Sequence, residues 1–244
     1  MSNTITEKVI LITGASSGIG ESTARILAKQ GHLLVIGARR EDRLKTLVRE
    51  IDPSGTQVKY QTLNVTQRHS VQDFVNFALE QFGRIDVIIN NAGIMPLSPM
   101  SALKLDEWDA MIDVNIRGVL HGIAAVLPIM QKQSHGQIIN ISSIGGLSVV
   151  PTAAVYCATK YAVRAISDGL RQEHQEIRVT CVYPGVVESE LAHTITDPSA
   201  AQAMKEYRQI CIQPEAIANA IAHVINQSSD IDTSEIVIRP TLAL

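Results

Sequence analysis

Short apolar runs recur along the chain with little alternation between polar and apolar positions. KVILIT (8–13), HLLVIGA (32–38), RIDVIIN (84–90), GQIINIS (136–142), IRVTCVY (177–183) and EIVIR (235–239) are of this kind, and VKYQTLNV (58–65) is a more polar example. A strand that is apolar at consecutive positions is buried on both faces, the condition of a parallel sheet held between two layers. The stretches between the runs carry a longer period. Ala24, Ile26, Leu27 and Ala28 lie in a helical pattern over 22–30 that Gly31 closes. Leu44, Leu47, Val48 and Ile51 mark 41–51, with Pro53 beyond it; Val71, Phe74, Val75, Ala78 and Phe82 mark 70–82. Longer stripes predict helices over 106–133 and 153–175, and Pro214 opens another over 214–226. Strand and helix alternate almost to the end, which predicts a single α/β domain over 1–244: a doubly wound parallel sheet of about seven strands with helices on both faces. The segment 188–213 interrupts the alternation. It is polar, helix-prone and follows a strand's carboxyl end, so it is expected to be a lid over a site.

One corner resists this simple reading. LITGASSGIGESTARIL (11–27) puts Gly14, Gly18 and Gly20 between the first strand and the first helix. Glycine packs no side chain and loses most freedom on folding, so something must approach the backbone closely. In wound sheets ligands bind beyond the carboxyl ends of the strands, and the first helix offers unpaired N–H groups to an anion there. The spacing is G-x-x-x-G-x-G rather than the usual G-x-G-x-x-G, and a ligand-free corner also uses glycine for packing. Its place after the first of several parallel strands favours a pyrophosphate. After the second strand, ARRE (38–41) sets Ala38, Arg39 and Arg40 where NAD-binding folds carry an acid for the ribose 2′-hydroxyl. Guanidinium groups grip a 2′-phosphate bidentately, which points to NADP(H). The plainer reading, a solvated arginine pair, is opposed by the dipole of the helix that starts here.

AVYCATKYAV contains Tyr156 and Lys160, one helical turn apart. A free phenol has a pKa of ~10; a cation about 4 Å away, at an effective dielectric of 20, contributes ~4 kcal/mol or ~3 units. That would bring the phenol near neutrality, where proton transfer to an alcohol or ketone oxygen is efficient. An isolated Tyr–Lys pair is more often plain surface, but its surroundings are not plain. Ser142 and Ser143 close one strand, NNAG (90–93) ends the strand before it, and Asn115 sits between Val114 and Ile116 inside the long helical stretch. A buried asparagine there needs a partner.

Taken together, TGASSGIG (13–20), NNAG (90–93), Asn115 in DVNIRG, NISS (140–143), YCATK (156–160) and YPGVVESEL (183–191) resemble the short-chain dehydrogenase/reductase family in order and spacing over essentially the whole chain. The resemblance implies a Rossmann-like domain, a nicotinamide cofactor and a tetrad of Asn115, Ser143, Tyr156 and Lys160. Ser143 is the implied serine because it lies thirteen residues before Tyr156; Ser142, on the other face of the pleat, is the second choice. Tyr156 would exchange the proton, Ser143 would hydrogen-bond the substrate oxygen, Lys160 would also hold the nicotinamide ribose, and Asn115 would anchor a water of a proton relay.

The implied cofactor contacts fall in clusters. Gly14, Ser16, Ser17, Gly18, Ile19 and Gly20 surround the pyrophosphate; Arg39, Arg40, Asn64 and Val65 meet the adenosine; Asn91, Ala92 and Gly93 line the middle. Pro184, Gly185, Val187 and Ser189 border the nicotinamide with Tyr156 and Lys160. Two of these depart from the commoner pattern: Asn64 stands where many relatives carry aspartate, and Ser189 where threonine is usual. The implied substrate pocket comprises Ile94, Met95, Gly145, Leu147, Val149, Val186 and Glu190 beside Ser143 and Tyr156. GARRE, DVNIRGVLHGIAAVLP and SEIVIRPT resemble the NADP-dependent 3-hydroxy acid and serine dehydrogenases. The implied activity is hydride transfer between NADP(H) and a secondary alcohol or carbonyl of a small molecule, a 3-hydroxy acid among the possibilities. Pairing of the two long helices is the family's habit and implies a homodimer or homotetramer.

Composition narrows the alternatives. A net charge of −3 with scattered basic residues argues against a nucleic-acid or anionic-membrane surface. No apolar run approaches the ~18 residues of a membrane span, and MSNTITEKV has no apolar core of a signal peptide. Cys157, Cys181 and Cys211 have no metal-ligand spacing and cannot all pair, so a reduced, cytoplasmic setting without a metal is expected. A P-loop is excluded because Gly20 is followed by Glu21 and Ser22. The remaining alternative is a dinucleotide-binding regulator without turnover; such proteins tend to lose the tyrosine or the lysine, and both are present.

Overall fold

Residues 6–242 are described by the computed structural model. Seven strands, β1 (Val9–Thr13), β2 (Leu33–Ala38), β3 (Val58–Thr62), β4 (Val87–Asn90), β5 (Gly136–Ile141), β6 (Ile177–Pro184) and β7 (Glu235–Ile238), form one sheet in the order β3-β2-β1-β4-β5-β6-β7. Every pairing is parallel; for example Ile12 lies opposite Ile36 on one side and Ile89 on the other. Parallel neighbours need crossovers, and the helical stretches supply them. They are α1 (Gly18–Lys29), α2 (Glu41–Ile51), α3 (Arg68–Phe82), α4 (Leu105–Ile112), α5 (Gly118–Gln133), α6 (Ala154–Glu173), α7 (Pro198–Tyr207) and α8 (Pro214–Ile225).

The consecutive apolar residues of each strand are shared between two cores. Ile10, Ile12, Ile36 and Ile89 face α1, α2 and α8 with Leu27, Leu44 and Ile221. Leu11, Val35, Ile88 and Val179 face the other layer with Phe74, Val126 and Val163. The sheet is thus doubly wound and Rossmann-like. The chain moves outward from β1 to β3, then crosses back through α3 to β4 on β1's other side. The loops after β1 and β4 therefore diverge and leave a crevice at the carboxyl ends of the strands.

Two elements differ from expectation. The predicted helix over 106–133 is α4 and α5 joined by a π-turn at Asp113–Arg117. The whole stretch Leu105–Gln133 is apolar and long enough to pass for a membrane span by length and composition, contrary to the expectation that no run approaches one. Its apolar side, with Val119, Ile123, Val126 and Met130, packs into the core instead. The segment 188–213 is ordered by its own short elements: a 3₁₀ turn at Glu190–Thr194, α7, and a turn at Arg208–Ile210. Asp197 caps α7 by accepting from Ala200 N at 2.9 Å, and Pro198 occupies its first turn. A parallel bridge between Val187 and Ile212 ties the segment's two ends together.

Candidate active site

A cleft of about 1030 Å³ runs along the carboxyl ends of the strands, from Arg39, Arg40 and Asn64 at one end to Ser143, Tyr156 and Met204 at the other. Its floor begins at the glycine corner. The glycines there have different reasons. Gly14 is left-handed, with φ +68°, and a Cβ would come within 2.8 Å of Ala92 Cα. A Cβ on Gly20 would lie 2.6 Å from Asn91 Nδ2 and from Gly14 O. Both serve the packing of this turn against Asn91 and Ala92, and Gly20, expected as a cofactor contact, does not line the cleft. Gly18 is the one that keeps the surface low. Its φ is +57°, and only Ser189 Cβ, at 3.4 Å, lies near its missing side chain. It starts α1, four residues earlier than the apolar pattern predicts. Ser17, the cap residue, makes no side-chain hydrogen bond to the first turn. The unshared N–H groups of that turn, beside a surface without a Cβ, fit a pyrophosphate.

Asn91 holds the opposite wall. Its Nδ2 donates to Thr13 O at 2.9 Å and Gly14 O at 3.1 Å, while Thr13 Oγ1 accepts from the N–H groups of Asn91 and Ala92. Thr13 is a member of this corner that the sequence reading passed over. Asn64 lines the cleft, with its Oδ1 engaged by the N–H and hydroxyl of Thr66. Val65 also lines it, and packs below Gly118.

Of the four residues expected to form a tetrad, Ser143, Tyr156 and Lys160 line the far end of the cleft, and Asn115 stands behind them, beside Gly93 and Lys160. Asn115, 1% exposed, sits in the π-turn. Its Oδ1 accepts from Ile94 N at 2.9 Å, and its Nδ2 donates to Ile94 O and to Thr159 Oγ1. Thr159 is a partner that nothing in the sequence pattern singled out. A Cβ on Gly93 would lie 3.4 Å from Asn115 Oδ1 and 3.7 Å from Lys160 Nζ, so these three stand together. Lys160, 6% exposed, donates from Nζ to Ile141 O at 2.9 Å. Ser142 borders the cleft too, but its Oγ donates to Lys160 O at 2.9 Å and the residue is buried. Ser143 instead faces the cleft; its Oγ accepts from Gly145 N at 3.1 Å and caps the turn Ile144–Gly146.

The expected acidification of the phenol does not occur in this arrangement. Burial pushes Tyr156 up to about 12, with the Ser143 hydroxyl pulling the other way. Lys160 Nζ sits 5.8 Å from the ring centroid, over the face of the ring, and is held by the carbonyl of Ile141. Burial in turn lowers Lys160 to about 8. Both groups are therefore biased toward their neutral forms, because each would carry its charge in a dry site.

Two substrate assignments are corrected. Val149 is 63% exposed and lies outside the cleft; its neighbour Val150 lines it instead. Glu190 also lines the cleft, but at the opposite end, where its carboxylate pairs with Arg40 Nη1 at 2.6 Å and Arg43 Nη1 at 2.7 Å. A carboxylate at the start of 188–213 thus finds its partners across the cleft, which no local pattern reveals. The other substrate candidates, Ile94, Met95, Gly145, Leu147 and Val186, do line the cleft, as do Leu97, Met204 and Tyr207. Pro184, Gly185, Val187 and Ser189 line it beside them. A Cβ on Gly185 would lie 2.6 Å from Arg239 Cβ, so that glycine admits the end of β7. Among the described residues no cluster of side chains suits a metal ion.

A wound parallel sheet with a glycine-cornered cleft at its switch point defines the dinucleotide-binding class of α/β folds. Within that class the comparisons are specific: residues 8–200 match the profile of the short chain dehydrogenase family. The chain is 48% identical over 243 residues to an uncharacterised oxidoreductase of Staphylococcus saprophyticus, covering 98% of each. A serine dehydrogenase in its closed form with NADP+ superposes with a TM-score of 0.87 at 30% identity, over 94% of each chain. A short chain dehydrogenase/reductase from Burkholderia phymatum in complex with NAD superposes with a TM-score of 0.88 at 25% identity, over 96% of this chain and 89% of that one. The chain belongs to the short chain dehydrogenase family and is an oxidoreductase of that family.

Proposed function

We propose that the chain transfers a hydride between NADP(H) and a secondary alcohol or carbonyl group of a small molecule. The observation that carries this reading is the convergence of Ser143, Tyr156 and Lys160, backed by Asn115, at the end of a cleft whose other end is lined by arginines. The nicotinamide, when bound, is the hydride donor or acceptor. The residues do the rest. The first turn of α1 and the low surface at Gly18 receive the pyrophosphate. Arg39 and Arg40 receive the 2′-phosphate. Ser143 donates to the substrate oxygen and stabilises the charge that develops on it. Tyr156 gives that oxygen a proton in reduction and takes it in oxidation. Lys160, with Nζ between Ile141 O and the ring of Tyr156, supplies the positive field for the phenolate that results. Asn115 holds the Ile94 backbone and Thr159 in place around that lysine.

The segment 188–213 is the lid in this reading; its contact from Met95 N to Thr194 Oγ1, at 3.1 Å, closes it on the β4 loop. The lid and loop walls, with Leu97, Val150, Met204 and Tyr207, favour an apolar substituent beside the reacting carbon. Self-association through the exposed sides of α5 and α6, where Leu120 and Tyr161 are uncovered, completes the proposal.

A panel of ketones, 3-hydroxy acids and serine-like alcohols, assayed by absorbance of NADPH and NADH, tests the activity. Turnover with at least one of them is expected; binding of either coenzyme without turnover across the panel would favour a regulator. Coenzyme choice is read separately. Arg40→Ala and Arg39→Ala should each weaken NADPH by about 1.5–3 kcal/mol, the range of a charged hydrogen bond. NADH should be nearly unaffected, and equal losses for both coenzymes would contradict the 2′-phosphate role.

A further inference from the structure

The charged rim at the adenosine end carries this inference, which rests on the NADP(H) reading. Glu190 reaches across the mouth of the cleft from the β6 side to the β1–β2 side. Its Oε2 accepts from Arg40 Nη1 at 2.6 Å and its Oε1 from Arg43 Nη1 at 2.7 Å. The other nitrogens of Arg40 are turned to the glycine corner: Nε and Nη2 donate to Ser16 Oγ at 3.1 and 3.0 Å, and Nη2 donates to Ser17 Oγ at 2.8 Å. Four of the five N–H groups of the guanidinium are thus engaged, one remaining on Nη1, and an anion already sits on that outward edge. The two arginines hold the Glu190 carboxyl at about 2, so it is charged at any working pH.

A phosphate brought to the same guanidinium meets that carboxylate as a like charge. A ribose 2′-hydroxyl meets no such opposition, because it can donate to a carboxylate. The side chains of Glu190, Arg40 and Arg43 are 39%, 44% and 48% exposed. Solvent-screened pairs of this kind are individually weak, so the contact is displaceable.

We propose that Glu190 is a coenzyme-specificity residue whose carboxylate occupies Arg40 and Arg43 in place of the 2′-phosphate, so that NADP(H) must displace it and NAD(H) need not. Glu190 therefore narrows the preference that the arginines create.

Fluorescence titration of the full-length protein with NADPH and with NADH, in wild type, Glu190→Gln and Glu190→Ala, tests this. Both variants should bind NADPH about 3- to 10-fold more tightly, as expected on removing two screened ion pairs that compete with it. NADH affinity should change far less. Equal changes for both coenzymes, no change, or weaker NADPH binding would overturn the assignment. The two readings fail differently. If the wild type does not prefer NADPH and neither Arg39→Ala nor Arg40→Ala alters that, the coenzyme assignment falls. If the preference is present and depends on Arg40 while Glu190→Gln leaves NADPH affinity unmoved, only the role of Glu190 falls.

Discussion

Tyr156 and Lys160 each sit in an environment that disfavours the charge their proposed roles require. The phenol stands at about 12 and the ammonium at about 8, both because of burial. Tyr156→Phe removes the exchangeable proton alone, so turnover should fall by about 10²–10⁴-fold, the usual contribution of a general acid or base. Coenzyme affinity, measured by the same titration, should move far less. The lysine makes a separate forecast in stability. Its folded pKa of about 8 lies below the 10.5 of a free lysine. Below pH 8 both states hold the proton and the folded protein carries a buried charge at a cost. From about pH 8 to 10.5 the unfolded chain binds the proton that the folded one has released, so this contribution to stability rises with pH. Lys160→Met has no such term. The melting-temperature difference between variant and wild type should therefore shift in favour of wild type as pH rises over that window; a constant difference would deny the buried charge. The identities of these residues were legible from spacing and family resemblance. Their electrostatics were not, because the i, i+4 offset says nothing of whether an ammonium points at a hydroxyl or at the ring face.

The elements were legible where one period held throughout. Continuous apolar runs became parallel strands because each must feed two cores. The long helix between β4 and β5 was read as uniform, yet it contains the π-turn Asp113–Arg117. Such turns frequently lie at functional positions, and this one carries Asn115. No apolar stripe reveals it, since the buried face resumes on either side. Small residues were similarly ambiguous. Gly122 of α5 is a glycine because of its neighbour: a Cβ there would lie 2.2 Å from Asn90 Oδ1. Asn90 is itself fixed, donating to Asn140 Oδ1 at 2.8 Å, and Asn140 donates to Ser167 Oγ at 2.9 Å. Gly122→Ala should cost about 1–3 kcal/mol as an overpacked core site. At roughly 2–4 °C per kcal/mol for a chain of this size, thermal unfolding should register the loss. An unchanged melting temperature would show that the Asn90–Asn140 pair yields more easily than its burial implies.

At the scale of the molecule, wound topology was foreseeable from alternation alone, while the pairing of Glu190 with Arg40 and Arg43 was not, since 147 and 150 residues separate the partners. The strand order has a further consequence. β1, β2 and β3 are one continuous stretch of chain on one side of the crevice, and β4 to β7 are another on the other side. Ser16, Ser17, Gly18, Arg39, Arg40 and Asn64 all belong to the first stretch; Asn115, Ser143, Tyr156 and Lys160 all belong to the second. In the proposed reading, nucleotide preference and bond-making chemistry are therefore inherited as separate blocks, and a chimera that takes its first third from a relative with another preference should change what it binds while leaving what it does intact. Glu190, as proposed, is the exception, a residue of the later block paired with Arg40 and Arg43 of the earlier one, and such a chimera would have to be matched to it.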